Sequence, residues 1–181
     1  MAKTYNTFTN VSTGDVYTAA SHNAILQNLA GYRVPPACTV RRTSNLTSYT
    51  NGAAITWNEA AWDTESPSDP MWAAGSPTVI TIRTAGIYLV TFAGYCGGSA
   101  TITLTYPAIS VNSTVVQTQY SVINGGAASM FSMSTTLSLA ATNTVSANVS
   151  FIGGSGYLIY GNSTLADTQT RLSVTWLGQV S

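Results

Sequence analysis

Acidic residues are few in this chain, and four of the six lie between positions 59 and 69: Glu59, Asp63, Glu65 and Asp69. Asp63, Glu65 and Asp69 could supply the oxygen ligands that Ca²⁺ prefers, with loop carbonyls completing the shell. Their spacing does not match an EF-hand loop. The same carboxylates could instead accept backbone N–H groups or pair with arginines, and we favour this structural interpretation over a metal site.

Other residues that could perform catalysis are scarce. The single histidine, His22, lies on the polar side of a predicted short helix, with no serine nucleophile that the sequence places beside it. No G-x-S-x-G, Walker, H-E-x-x-H or paired-cysteine metal signature occurs. A glycan hydrolase using Glu59, Asp63 or Glu65 is a weaker hypothesis, because no sugar subsites accompany these acids. We therefore predict a protein that is not an enzyme, without catalytic residues or a cofactor.

The two cysteines, Cys38 and Cys96, lie far apart in strand-like apolar runs and lack metal-ligand spacing. Buried free thiols are the favoured interpretation, and a disulfide is the alternative.

Three tryptophans, Trp57, Trp62 and Trp72, accompany the acidic segment. Flexible linkers seldom carry such side chains, which need burial, so we predict a long ordered loop over 59–69. Trp62 and Trp72 could also stack on sugar rings, which makes them candidates for a ligand-binding loop. Tyrosines near the predicted strand ends are weaker candidates of the same kind: Tyr95, Tyr106, Tyr120, Tyr157 and Tyr160.

Charged residues make up only 7% of the chain, and the formal net charge is zero. Serine and threonine supply roughly a quarter of the residues, so hydroxyl groups must form much of the surface. A surface with so little charge protects a free monomer poorly against association, which favours an oligomer. No basic stripe for nucleic acid exists. The sequence has no apolar leader and no run of about eighteen apolar residues, so we expect cytoplasmic synthesis without membrane insertion.

From Ile55 onward, apolar residues alternate with serine, threonine and asparagine, which predicts half-buried antiparallel strands. Small-residue turns separate them at 97–98, 112–113, 124–126 and 153–156. The predicted inward faces are Ile102, Leu104 and Tyr106; Phe131, Met133, Leu137 and Leu139; Val145, Ala147, Val149 and Phe151; and Leu172, Val174 and Trp176. Many short strands of this kind indicate a sandwich or barrel.

Residues 1–36 differ from the remainder. Thr18 is a suitable N-cap for a helix over 19–30, which Gly31 ends. Its apolar stripe, formed by Ile25, Leu26 and Leu29, must pack on something, because so short a helix is marginal alone. We predict a docking arm with one short helix over 1–36 and a β domain over 37–181.

Several motifs carry a family resemblance: Ile55-Thr56-Trp57-Asn58, then Trp62-Asp63-Thr64, then Gly86-Ile87-Tyr88-Leu89-Val90. Residues 37–178 resemble the TNF-like jelly roll, also found in complement globular heads, of tailed-phage virion structural proteins. The segment 16–36 is similar to a short helical head that often precedes it. The chain departs from the family at Glu65-Ser66, where members often have Asp-Gly.

The resemblance implies an antiparallel TNF-like jelly-roll sandwich that forms homotrimers, with inner sheets facing a threefold axis. It implies that five residues divide between protomer core and trimer contact: Tyr88, Phe92, Phe131, Met133 and Trp176. It further implies a non-enzymatic virion protein, anchored to other virion proteins through residues 1–36. We favour an appendage at the tail tip or tail fibre that can contact the host. The alternatives are a capsid decoration or head-fibre protein, and a carbohydrate-binding adhesin using Trp62 and Trp72.

Overall fold

The structure is a computed structural model that describes residues 34–98, 101–122, 128–161 and 169–179, together with six residues near the N-terminus. Five of those six are helical: Ala20, His22, Asn23, Ile25 and Leu26. The His22 N–H donates to the Thr18 carbonyl oxygen at 3.0 Å, which is the i to i−4 bond of a helix. These residues agree with the predicted short helix, while Leu29 lies outside the described residues.

The described part of the chain otherwise forms strands. Their bounds are β1 (Ala37–Arg41), β2 (Glu59–Asp63), β3 (Ile80–Thr81), β4 (Gly86–Gly97), β5 (Leu104–Val111), β6 (Thr114–Thr118), β7 (Ser121–Val122), β8 (Ser129–Leu139), β9 (Thr144–Ile152), β10 (Leu158–Ile159) and β11 (Arg171–Gly178). Among the described residues, no helix is long and apolar enough to cross a membrane.

The strands form two antiparallel sheets. In sheet A, β8 pairs with one edge of β4 along its length, and β11, β1 and β2 follow in order from the other edge. The short β10 pairs with the far end of β4. Sheet B has the order β3-β9-β5-β6, and β7 also pairs with β5. The first and last strands, β1 and β11, are therefore neighbours within sheet A.

The core lies between the two sheets. The alternation predicted for β8, β9 and β11 is confirmed, since the residues predicted for the inward face of each strand do face inward. The largest buried side chains are aromatic: Trp57 makes an edge contact with Phe92, at 6.4 Å between ring centroids, and Phe92 lies 4.6 Å from Phe131. Gly86 is required beside this cluster because a Cβ there would collide with the Trp176 indole.

The predicted inward face of β5 is wrong. Thr105 is fully buried, whereas Leu104 and Tyr106 are only partly buried on the opposite face. Ile109 fixes this phase because it lies opposite Ala147, an inward residue of β9. Since side chains alternate along a strand, the residues of odd number then face the core. Ile102 is buried as predicted, but it precedes the strand.

Two of the four predicted turns are confirmed, whereas the turn predicted at 97–98 begins inside β4, whose last residue is Gly97. Asn112 and Ser113 have positive φ of 48° and 66°, as a two-residue hairpin between β5 and β6 requires. Gly153, Gly154 and Gly156 also have positive φ after β9. The third predicted turn, at 124–126, lies outside the described residues.

Candidate functional site

The acidic segment, defined as residues 59–69, is not one long loop. Its first five residues form β2, which pairs with β1 at the edge of sheet A, so the loop prediction is wrong there. The remainder is an ordered turn that Asp63 holds. The Asp63 Oδ1 accepts the Glu65 N–H at 3.0 Å, and its Oδ2 accepts the Met71 and Trp72 N–H groups at 2.9 and 3.2 Å.

The other three acids also have protein partners. Glu59 pairs with Arg41 at 2.6 Å, and Asp69 pairs with Arg83 at 3.2 Å. The Glu65 carboxylate is buried and accepts the Thr84 hydroxyl at 3.2 Å. No cluster of three metal-ligating side chains occurs in the part of the chain that the structure describes. The geometry therefore favours the structural interpretation of these carboxylates over the calcium candidates Asp63, Glu65 and Asp69.

The tryptophans of this region lie in three different environments. Trp57 is buried in the core, and Trp72 is partly buried, with its Nε1–H donating to the Pro77 carbonyl oxygen at 3.4 Å. Trp62 is 62% exposed, so the expectation that it is buried is wrong. It belongs to strand β2 rather than to a loop. Of the two candidate ligand tryptophans, only Trp62 therefore presents its ring to solvent.

Among the predicted docking residues, Ile25 is partly buried and Leu26 is 49% exposed. His22 is exposed. The role of Ile25, Leu26 and Leu29 in docking stays a prediction.

Both cysteines are free and buried, which confirms the favoured interpretation. Burial raises the pKa of the Cys96 thiol to about 12. The pKa of Cys38 is also raised, mainly by burial and to a smaller extent by the negative charge of Asp63. A thiol acts as a nucleophile only when ionised, so both side chains are suited to packing rather than to chemistry.

The five residues assigned jointly to core and trimer contact are all buried within one chain: Tyr88, Phe92, Phe131, Met133 and Trp176. Each faces sheet B, and the Tyr88 hydroxyl donates to the Thr84 carbonyl oxygen at 2.6 Å. They therefore belong to the protomer core, and any contact with another copy must use different residues.

The side of sheet A that points away from sheet B, called here the outer face, offers such residues. On four strands its members follow from the alternation of side chains: Ile87, Leu89, Thr91, Ala93 and Tyr95 on β4; Met130, Ser132, Ser134, Thr136 and Ser138 on β8; Arg171, Ser173, Thr175 and Leu177 on β11; and Ala37, Thr39 and Arg41 on β1. On β2, Glu59 and Trp62 belong to the face because they lie opposite Arg41 and Thr39, with a register shift between the two pairs. The face combines hydroxyl groups with large apolar side chains.

Strand register arranges this face in rows. One row runs from Trp62 through Thr39, Ser173 and Thr91 to Ser134, and the Thr39 hydroxyl donates to the Ser173 hydroxyl at 3.0 Å. The charged members all lie in the next row, which contains Glu59, Arg41 and Arg171. The rest of the face is uncharged, so its polar groups can be desolvated at lower cost than charges.

None of the sequence motifs indicates the outer face, although one signal of it is visible in the sequence. The strand Ile87-Tyr88-Leu89-Val90 is apolar at every position, whereas a strand with one solvated face should alternate. Leu89 is therefore the residue by which the second apolar face could have been found. The position of Arg171 on this face gives no comparable signal in the sequence, because its neighbour Arg41 is brought opposite it only by the pairing of β1 with β11.

Two sheets with this strand order and one shared core define an all-β antiparallel jelly-roll sandwich of the kind formed by TNF and complement globular domains. Among solved structures, the chain is similar to the globular domain of zebrafish complement 1qA protein, with a TM-score of 0.55, 13% identity, and coverage of 80% of this chain and 99% of that one. It is also similar to Eiger TNF from S. frugiperda, with a TM-score of 0.58, 13% identity, and coverage of 81% and 94%.

The predicted fold class is thereby confirmed. No protein-family model matches the chain, and no curated protein is significantly similar to it. At 13% identity, the two structural similarities establish the fold alone.

Proposed function

We propose that the chain is a non-enzymatic virion structural protein of a tailed phage: a homotrimeric jelly-roll appendage at the tail tip or tail fibre that can contact the host. The sequence motifs that resemble such proteins support this proposal, as does the jelly-roll fold. The acids, the cysteines and His22 offer no assembled catalytic group in the described residues, which is consistent with a structural role.

The observation that carries the trimer is the outer face of sheet A. Leu89 lies between β11 and β8 within this face and Ile87 lies towards its end; both are partly buried, whereas Leu177 and Trp62 are exposed. A contiguous surface of this composition marks an interaction site more often than a solvated face. Because most of it is uncharged, a second copy can approach it without opposing like charges, and three inner sheets facing one axis would cover it.

Light scattering coupled to size exclusion tests the trimer at two concentrations about a hundredfold apart. We expect three times the chain mass of 18.9 kDa at both concentrations. Leu89→Glu should give monomers, because it places a charge at the centre of the interface. Ile152→Glu is the matched control, since Ile152 is 49% exposed at the end of a strand in the other sheet. A monomeric parent, or a trimeric Leu89→Glu variant, would contradict the proposed interface.

The virion role depends on residues 1–36, which precede β1 and carry the predicted docking helix. Deleting them should leave a trimer that no longer incorporates into particles. Normal incorporation of the truncated chain, or its collapse to monomers, would show that this segment is not a docking arm. Immunogold labelling of intact particles separates the positions. Gold at the tail tip or fibre supports the favoured assignment, and gold over the shell supports a capsid decoration or head-fibre protein.

A carbohydrate-binding adhesin is the second candidate, and the exposure of Trp62 favours it. Its ring lies in a row with four hydroxyl side chains, an arrangement that could stack on and hydrogen-bond to a sugar. On a glycan array, Trp62→Ala should abolish binding, whereas Trp72→Ala should reduce it less because Trp72 is partly buried. Absence of glycan binding by the parent would end this hypothesis.

A further inference from the structure

A depression of about 210 Å³ lies at one end of the outer face of sheet A. It is formed where β4, β8 and the start of β11 meet, and Tyr95, Met130, Ser132 and Arg171 are among its lining residues. Cavities for drug-sized ligands usually have volumes of roughly 300–1,000 Å³. A ligand held here would therefore be small.

Arg171 is the unusual member of this lining. Of the four arginines in the described residues, Arg41 and Arg83 have acidic partners, and Arg42 donates to the Thr56 carbonyl oxygen at 2.7 Å and to that of Ser44 at 3.1 Å. The Arg171 side chain makes no hydrogen bond or ion pair with any residue that the structure describes, although its backbone belongs to strand β11. It is exposed at the wall of the depression, with its guanidinium donors available.

The neighbouring strand increases the positive potential at this point. Arg41 lies directly opposite Arg171 in the β1–β11 register, and like charges in that position repel each other. Glu59 compensates Arg41, its carboxylate being 2.6 Å from the Arg41 guanidinium. Among the described residues, one positive charge is therefore left without an acidic partner, which favours an anion of single charge over a dianion.

The remaining lining indicates the chemistry of that anion. A guanidinium binds a carboxylate through two parallel N–H···O bonds, a geometry that a planar carboxylate matches. Ser132 can exchange a hydrogen bond with a ligand hydroxyl, while the Tyr95 ring and the Met130 side chain offer apolar surface to a carbon skeleton. We propose that the depression binds a small organic monocarboxylate of the size of a single sugar acid, with Arg171 on its carboxylate.

This proposal does not rest on the trimer. A charged side chain is disfavoured at the centre of a protein interface, so the Arg171 end of the outer face belongs at the rim if the trimer forms. The ligand test and the oligomer test can therefore fail separately.

The experiment is a titration of the full chain followed by amide chemical shifts in NMR, with D-glucuronate as the probe. D-glucose serves as the neutral analogue and inorganic phosphate as the more highly charged anion. We expect saturable shifts at residues 93–95, 130–132 and 171 with glucuronate, weaker binding of phosphate, and none of glucose. Arg171→Gln should reduce glucuronate affinity at least tenfold, and Arg83→Gln, which changes a paired arginine elsewhere, should leave it unchanged.

Several results would overturn the proposal. These are an absence of saturable binding, equal binding of glucose, tighter binding of phosphate, and equal losses in the two arginine variants. Dissociation of the oligomer by Arg171→Gln would show that Arg171 contacts another subunit instead. A monomeric parent that still binds glucuronate through Arg171 would refute the trimer and leave this site supported.

Discussion

The acidic segment and the Arg171 depression differ in what their charged groups contact. In the acidic segment, Asp63 alone accepts three backbone N–H groups, and the other acids have protein partners as well. In the depression, a single guanidinium faces solvent beside a small cavity. The region with more ionisable residues is thus the one whose groups are already used by the fold.

This difference shows why residue type and density are weak guides to a site. A carboxylate that accepts three internal N–H groups has little capacity left for a ligand. Displacing those donors would disrupt the turn that they stabilise. A charged group without an internal partner can bind a ligand without breaking any existing contact. The hydrogen-bonding capacity that internal partners leave unused therefore distinguishes a candidate binding site from a structural cluster better than the number of charges does.

The largest effect that we expect concerns the buried thiols and the buried Tyr49 hydroxyl of the core, which lose a proton at high pH. Near pH 7 the thiols of Cys38 and Cys96 are neutral in both the folded and the unfolded chain, since the ordinary pKa of each is 9.0. As the pH rises, the unfolded chain loses these protons first, since burial raises the pKa of Cys96 from 9.0 to about 12 and that of Tyr49 from 10.0 to about 12. Stability should fall by about 1.4 kcal/mol per pH unit for each such group.

Urea denaturation followed by circular dichroism at several pH values from 8 to 11 measures this decrease. Cys96→Ala removes one of the titrating groups, so its curve should fall less steeply than that of the parent. A parent whose unfolding free energy is constant up to pH 11 would show that the thiols are not held neutral by the fold.

Asp63→Ala should give the next largest effect. It removes a charged acceptor from the Glu65, Met71 and Trp72 amides, and we expect a loss of about 2–4 kcal/mol in the free energy of unfolding. Thermal unfolding of the parent with Ca²⁺ or with EDTA is the complementary measurement. A calcium-dependent melting temperature in the parent, lost in Asp63→Ala, would replace the structural interpretation with a metal site.

Much of the fold could be predicted because its information is local. The alternation of β8, β9 and β11 and the turn at Asn112-Ser113 depend on neighbouring residues, which the sequence displays directly. The face of β5 could not be predicted in the same way. Leu104 and Tyr106 suggest one phase and Ile109 the other, and only the pairing of Ile109 with Ala147 decides between them.

The candidate site was predicted less well for the same reason. Trp62 is exposed because β2 is an edge strand that pairs with β1 and directs this ring to the outer face. Arg171 lies opposite Arg41 although the two residues are far apart in the chain. Both facts are properties of strand order and register, which no single segment of sequence contains.

One arginine from each region allows a direct comparison of stability: Arg83, which pairs with an acid of the acidic segment, and Arg171, which lines the depression. Arg83 donates to the Pro70 carbonyl oxygen at 2.9 and 3.0 Å and pairs with Asp69, so Arg83→Gln should cost about 1–2 kcal/mol of stability. Among the described residues, the Arg171 side chain has no hydrogen bond or ion pair to lose, so Arg171→Gln should change stability by less than about 0.5 kcal/mol. Equal losses in urea denaturation would show that Arg171 is not the uncommitted group that the depression requires.

The smallest effect concerns Glu59, which connects the two regions through its ion pair with Arg41. Glu59 begins the acidic segment, and through Arg41 it also sets the charge beside Arg171. Glu59→Gln should change stability by no more than about 1 kcal/mol, as expected for an exposed ion pair. It leaves two uncompensated guanidiniums across neighbouring strands, so glucuronate should bind roughly two- to fivefold more tightly at low salt, a gain of about 0.4–1 kcal/mol. The gain should vanish in about 1 M salt, where screening acts within roughly 3 Å. Unchanged or weaker binding at low salt would mean that the charge of this row does not act on the depression.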